Sequence, residues 1–215
     1  MNLYEKYRPT AFEQVLGQDR AIRQIQLAGR TGFGGKAFWI SGPSGAGKTT
    51  LARIIGQQLA SEYAIQEYDS ADSLSMAALD EIDRTMHLFG WGDKSGRAFI
   101  VNEAHGLRAP IIRRLLGMLE RIPSHVVWVF TTTKEAMTLF EDDQLDASPL
   151  LSRCAQVTLT NQGLSKVFAE HVQAIAQAEG LDGRPLSAYL QLARDCRNNC
   201  RMMLQSVESG TMIAD

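Results

Sequence analysis

The 215-residue sequence predicts an α/β fold, a five-stranded parallel sheet covered by helices, followed by a small three-helix unit. Three observations carry this expectation. Apolar runs without polar alternation take turns with helical periodicity through the first part of the chain, as strands buried on both faces require. One of those runs, residues 37–40, passes through a glycine-rich loop straight into a helix. From Gly163 onward only helical periodicity remains. The boundary falls near Asn161, giving one domain over residues 1–160 and a second over 161–215.

The elements follow in order. Residues 4–9 are expected to be extended, because Pro9 disfavours helix at Arg8. Asp19 can cap a helix over 20–29, and the three glycines of 31–36 mark a loop. The first strand is 37–40, and its helix runs over 48–60. A second strand covers about 64–68, ending at Asp69. Asp72 or Ser73 can cap the next helix, where Leu74, Met76, Leu79, Ile82, Met86 and Phe89 recur at helical spacing. Residues 90–96 are a turn-rich loop, and the third strand is 97–102. Pro110 suits the first turn of a helix to Glu120. The fourth strand is 126–131, an acidic loop occupies 141–146, and the fifth strand is about 155–159. Three helices over 164–179, 185–197 and 199–208 complete the chain.

Composition narrows the functions. The chain is 45% hydrophobic and 21% charged, ordinary for a globular protein. A formal net charge of −2 argues against a broad electrostatic nucleic-acid binder and leaves room for a local contact surface. The polar N-terminus MNLYEKYRP is not a signal peptide, and no apolar run approaches the ~18 residues of a membrane span, so no membrane partner is expected. Cys154, Cys196 and Cys200 form a sparse, odd set, as expected of a reduced cytoplasmic protein. Cys196 and Cys200 sit four apart with no further ligands nearby, so they read as buried thiols. His87, His105, His125 and His171 receive no role.

The residues that carry chemistry begin at the glycine-rich loop. Gly42, Pro43, Ser44, Gly45, Ala46, Gly47, Lys48, Thr49 and Thr50 fit the phosphate-binding P-loop. Glycines let successive backbone N–H groups curl around an anion, and the following helix points its positive end at the same anion. Lys48 would reach the β- and γ-phosphates of a bound nucleotide, and the Thr49 hydroxyl would ligate Mg²⁺. The second motif is the apolar strand ending in Asn102-Glu103. P-loop enzymes use such an acidic pair to hold Mg²⁺ and activate water. Asn102 keeps hydrogen bonding but lacks the negative charge of an aspartate, and Glu103 remains as the base.

In motif order the chain resembles the AAA+ ATPases, most closely the clamp-loader subunits: bacterial DNA polymerase III gamma/tau and the replication factor C small subunits. Tyr4-Glu5-Lys6-Tyr7-Arg8-Pro9 with Val15-Leu16-Gly17-Gln18 resembles the family's N-terminal signature, which packs over the adenine. The resemblance thereby makes Arg8, Pro9 and Val15 base-contacting residues. Gly42 to Thr50 matches Walker A, and residues 101–105 match Walker B with Asn102 in place of Asp. Phe130 to Thr133 resembles sensor 1, implying that Thr133 lies near the γ-phosphate and the attacking water. Ser152-Arg153-Cys154 matches the motif whose arginine reaches a neighbouring AAA+ subunit's ATP. Residues 199–204 resemble the sensor 2 helix, with Arg201 as the γ-phosphate-contacting arginine of a lid. In the family the helix carrying Arg113 and Arg114 lies near duplex DNA.

The resemblance thus implies an ATP-hydrolysing enzyme using ATP and Mg²⁺, with other AAA+ subunits, a sliding clamp and primer-template DNA as partners. Two alternatives remain: an ATP-binding subunit without turnover, motivated by Asn102, and an AAA+ protein of another DNA machine, such as a helicase loader or Holliday-junction motor. The four-cysteine zinc insert of bacterial gamma/tau subunits is missing, and the 215 residues contain no counterpart of the family's collar domain.

Overall fold

Five parallel strands lie in the order β2-β3-β4-β1-β5, where β1 is Lys36–Ser41, β2 Ala60–Tyr68, β3 Gly96–Val101, β4 Val126–Thr132 and β5 Ala155–Thr158. The computed structural model describes residues 2–133 and 148–213. It divides into two units. One comprises Arg20–Gly42 and Lys48–Leu159 and contains the sheet. The other comprises Met1–Asp19, Pro43–Gly47 and Thr160–Asp215.

The sheet is the five-stranded parallel sheet expected. Its central strands β3 and β4 are buried on nearly every residue, which is why they read as unbroken apolar runs. One face packs on the helices α4 (Met76–Thr85) and α5 (Ala109–Leu119). There Leu79, Ile82, Leu115 and Met118 meet Trp39, Phe99, Trp128 and Phe130. The aromatic rings run in a chain, Phe99 to Trp128 at 4.8 Å between centroids, Trp128 to Phe130 at 5.8 Å and Phe130 to Trp39 at 5.7 Å. The helix α3 (Lys48–Leu59) also packs on the sheet, and Gly56 permits its close approach: a Cβ there would lie 3.1 Å from the Ala98 methyl.

Several local expectations change. The segment expected to be extended at residues 4–9 instead begins with one helical turn, α1 (Leu3–Lys6). Pro9 constrains only Arg8, so the upstream N–H groups of Glu5 and Lys6 can both donate to the Asn2 carbonyl at 3.0 Å. The cap of α4 is Ser75, whose hydroxyl accepts from the Ala78 N–H at 3.1 Å. Asp72 and Ser73 lie upstream in a short 3₁₀ turn, and Leu74 is buried outside the helix. The helix stops at Thr85, so Phe89 falls beyond it, exposed and 4.3 Å from the His125 ring. β2 starts directly after α3, with a register shift between Ala60 and Ile65. β3 ends at Val101, leaving Asn102 just outside it. A four-residue helix, α6 (Ser148–Leu151), is too short to show periodicity in sequence. The acidic stretch 141–146 lies outside the described residues.

In the second unit, α7 (Ser165–Ala178), α8 (Leu186–Asp195) and α9 (Cys200–Glu208) share a core with α1, built from Leu3, Phe168, Val172, Tyr189, Met203 and Val207. Asn199 caps α9 by accepting from the Met202 N–H at 3.2 Å. Gln18 is buried and holds Thr160, donating to its carbonyl at 2.6 Å and accepting from its N–H at 3.3 Å. Burial pushes the Cys154 thiol up to about 12 and the Cys200 thiol up to about 11, which makes both poor nucleophiles near neutrality. Cys196 is buried and Cys200 half-buried. Among the described residues no helix is long and apolar enough to cross a membrane, and no three His, Cys, Asp or Glu side chains group to hold a metal.

α1 is tied to the end of α7 by a charged contact with a pH signature. The Glu179 carboxylate accepts from the Lys6 ammonium at 2.7 Å and the Tyr7 hydroxyl at 2.5 Å. Those bonds, Lys6 first, hold the Glu179 carboxyl below its usual range. A depressed carboxyl contributes stability that is present above its unfolded value and lost as pH falls through the folded one. Glu179→Gln should therefore melt slightly below the parent at neutral pH, and the two melting curves should converge in acid.

Candidate nucleotide site

β3, β4 and β1 are neighbours, and their carboxyl ends at Val101, Thr132 and Ser41 open on one edge of the sheet. In open parallel sheets that edge is where ligands bind. The loop leaving β1 has φ of 147° at Gly42, 74° at Gly45 and 95° at Gly47, values that side chains with a Cβ rarely adopt. A Cβ at Gly42 would come within 2.8 Å of the Leu159 carbonyl, whereas at Gly47 it would meet nothing within 4 Å. The loop then enters α3 at Lys48. That side chain is only 7% exposed, and its ammonium donates to the Gly42 carbonyl at 2.9 Å.

Asn102, itself buried, is the centre of a partly buried polar network. Its Oδ1 accepts from the Thr49 hydroxyl at 3.0 Å and the Thr131 hydroxyl at 2.8 Å. Its Nδ2 donates to Glu67 Oε1 at 2.7 Å, and Arg53 donates to Glu67 Oε2 at 2.7 Å. The β2–β3 register sets Glu67 opposite Ile100 and Tyr68 opposite Val101, while the Asn102 N–H donates to the Tyr68 carbonyl at 2.9 Å.

Glu103 follows with φ 49° and ψ 43°, a left-handed conformation costly for a residue with a Cβ. Its side chain is 44% exposed. Glu103 Oε2 lies 3.4 Å from the Thr133 hydroxyl and 3.4 Å from His105 Nδ1, contacts at the long end of hydrogen bonding. His105 Nδ1 also lies 3.3 Å from the Thr132 hydroxyl.

The structure therefore brings together Lys48, Thr49, Asn102, Glu103 and Thr133. Thr50 lies in the first turn of α3. Arg153 belongs to the same unit, where it donates to the Pro149 carbonyl at 2.7 Å and pairs with Glu120. Pro43, Ser44, Gly45, Ala46 and Gly47 group with the helical unit, as do Arg8, Pro9, Val15 and Arg201. Within it a Cβ on Gly45 would come within 2.0 Å of Asn199 Oδ1. Arg8 is paired with Glu5 at 2.5 Å, Val15 is buried, and the exposed Arg201 sits 5.5 Å from the Tyr4 ring centroid. On α5, Arg114 is engaged by Asp80 at 3.0 Å and Asp83 at 2.9 Å, leaving Arg113 as the exposed member of the pair.

Sequence reasoning missed Glu67 and Arg53, and it gave no role to Thr131 and His105, which it placed only inside the sensor 1 and Walker B stretches. His105 had a signal, its place two residues after Glu103. The others needed the strand order.

No protein-family model matches the chain. Among solved structures, the Thermotoga maritima RuvB Holliday junction branch migration motor superposes with a TM-score of 0.70 at 22% identity, covering 94% of this chain and 64% of that one. A point mutant of the Thermotoga maritima RuvB gives a TM-score of 0.72 at 21% identity, covering 94% of this chain and 65% of that one. With the P-loop after β1 and the parallel sheet, these likenesses define the fold as that of an AAA+ P-loop domain.

The particular relatives come from sequence. The DNA polymerase III subunit gamma/tau of Mycobacterium tuberculosis is 30% identical over 162 residues, 65% of this chain and 28% of that protein. Subunit tau of Escherichia coli is 25% identical over 233 residues, 97% of this chain and 35% of that protein. The gamma/tau of Mycoplasma pneumoniae is 30% identical over 203 residues, 78% of this chain and 28% of that protein. The resemblance to the clamp-loader family thus holds in sequence comparisons that cover 65–97% of this chain. The chain spans about a third of the length of these relatives.

Proposed function

We propose that this chain binds ATP with Mg²⁺ and hydrolyses it as an AAA+ subunit of the clamp-loader type, acting in DNA replication. The carrying observation is the meeting of Lys48, Thr49, Asn102, Glu103 and Thr133 beside the ends of adjacent strands. The donor set fits the cofactor. A glycine-lined turn, a buried ammonium, and a hydroxyl bonded to an amide oxygen are groups suited to phosphate and to a hard cation.

In this reading the loop from Gly42 to Thr50 cradles the phosphates and Lys48 holds the β- and γ-phosphates. Thr49, aided by Asn102, would hold Mg²⁺, which when bound neutralises phosphate charge. Glu103 Oε2 accepts a proton from the attacking water, and Thr133 orients that water. Arg8, Pro9 and Val15 face the adenine, and Arg201 serves a lid. Residues 1–160 form the nucleotide-binding domain and 161–215 the lid domain. Arg153 reaches a neighbouring AAA+ subunit's ATP after leaving Glu120. A sliding clamp and primer-template DNA are the remaining partners, in the cytoplasm.

The test is phosphate release from ATP, with and without primed DNA and a sliding clamp. Release that rises with both is expected; failure to bind ATP at all would overturn the reading. Asn102 favours a second reading, a nucleotide-binding subunit without turnover, because an amide supplies the contact to Thr49 without the charge. Tight ATP binding with no phosphate release would select it.

A further inference from the structure

The Asn102 side chain can sit in two orientations that differ only in exchanging its oxygen and nitrogen, and they have opposite consequences for Thr49. With Oδ1 toward Thr49, the hydroxyl donates to Asn102 and keeps its oxygen lone pairs for a cation. With Nδ2 toward Thr49, the amide would donate into those lone pairs instead. The observed network selects the first orientation. Thr49 and Thr131 both donate to Oδ1, at 3.0 and 2.8 Å, and Nδ2 points to Glu67 Oε1 at 2.7 Å. A carboxylate only accepts hydrogen bonds, so the NH₂ group must face it. Glu67 is itself held by Arg53 at 2.7 Å, and its side chain is 17% exposed.

We propose that Glu67 is a positioning residue for the metal side of the nucleotide site: it locks the Asn102 amide with its oxygen toward Thr49. The proposal rests on the ATP–Mg²⁺ reading above. Glu67 also places a carboxylate one hydrogen bond behind Asn102, polarising the amide so that its oxygen carries more negative charge. The position of Walker B that lacks its carboxylate is therefore backed by one from the neighbouring strand. Partners that orient a metal's own ligands typically change metal affinity by about 10–100-fold when removed.

The competing account is that Arg53–Glu67 merely fastens α3 to β2. That role would alter stability and nucleotide affinity together and leave the Mg²⁺ response alone. The decisive experiment titrates MgCl₂ into the 215-residue chain with a fluorescent ATP analogue, and repeats the binding in EDTA. Glu67→Gln keeps the shape but can donate as well as accept, which frees the amide to turn. It should raise the Mg²⁺ needed for half-maximal tightening by about 10-fold while leaving affinity in EDTA unchanged. In an Asn102→Asp background both side-chain oxygens are acceptors, so orientation no longer matters, and Glu67→Gln replaces a carboxylate facing a carboxylate with a donor, so adding it should cost nothing. An unchanged Mg²⁺ response in Glu67→Gln overturns the proposal. So does an equal loss in EDTA, or a loss of the same size in the Asn102→Asp background. A parent chain that binds the analogue with no Mg²⁺ response overturns the nucleotide–metal reading itself, and the parent titration alone reveals it.

Discussion

Glu103→Gln should lower ATP turnover by about 10²–10⁴-fold, the usual contribution of a positioned general base, while leaving ATP affinity nearly unchanged. The glutamine occupies the same volume and can still meet Thr133 and His105, each 3.4 Å from Glu103 Oε2. What it cannot do is take a proton. Single-turnover phosphate release alongside equilibrium ATP binding separates the two effects. A Glu103→Gln protein as fast as its parent would remove Glu103 from the proposed chemistry. The backbone adds an independent check. Glu103 holds φ 49°, which costs roughly 1–2 kcal/mol for a residue with a Cβ and almost nothing for glycine. Glu103→Gly should thus lose turnover as Glu103→Gln does and yet lose none of the parent's melting temperature. Stability and function then move apart at one residue, as strain held for a functional geometry requires.

Trp128→Ala should produce the largest loss of stability, about 3–5 kcal/mol, read as a lower urea midpoint at unchanged slope. Trp128 is fully buried in β4, between Phe99 on β3 and Phe130 on its own strand. Removing it empties the middle of the aromatic row against α4 and α5. Trp128→Phe should cost far less than its lost volume implies. The indole N–H of Trp128 is buried and has no hydrogen-bond partner among the described residues. Deleting an unsatisfied buried donor returns part of its desolvation penalty, about 1–3 kcal/mol for such a group. If Trp128→Phe proves as damaging as Trp128→Ala, the ring's fit rather than its burial governs this part of the core.

The two motifs that define the candidate site were legible because each is contiguous. The loop from Gly42 to Thr49 and the pair Asn102-Glu103 each carry their chemistry within a few residues, and the apolar runs before them mark strands. The parallel sheet was legible for the same reason. Strand order was not, because nothing local in β2 states which strand it will lie beside. That is why Glu67 passed unnoticed: it becomes part of the site only through pairing with β3. The early turn at Leu3–Lys6 was hidden by giving Pro9 too long a reach. Ser75 caps α4 where the sequence pointed to Asp72 or Ser73: all three have the right side chain, and only the 3₁₀ turn at Ala71–Ser73 decides among them. The departure at Asn102 was plain in the sequence, and its hydrogen-bonded setting was not.

The strand order also fixes a timetable for making the protein. β1 is the first strand in the chain, yet its two neighbours are β4 and β5: Trp39 pairs across to Phe130 on one side and Gln156 on the other. A growing chain that has reached Tyr68 holds β1 and β2, which are not adjacent in the finished sheet. Only after Gly96–Val101 emerges can β2 find its partner, and only after Val126–Thr132 can β1 join the sheet at all. The strand from which the phosphate loop springs is thus the earliest synthesised and among the last to be seated. Its apolar stretch from Ala37 to Ile40 must wait unpaired while much of the chain is still being added.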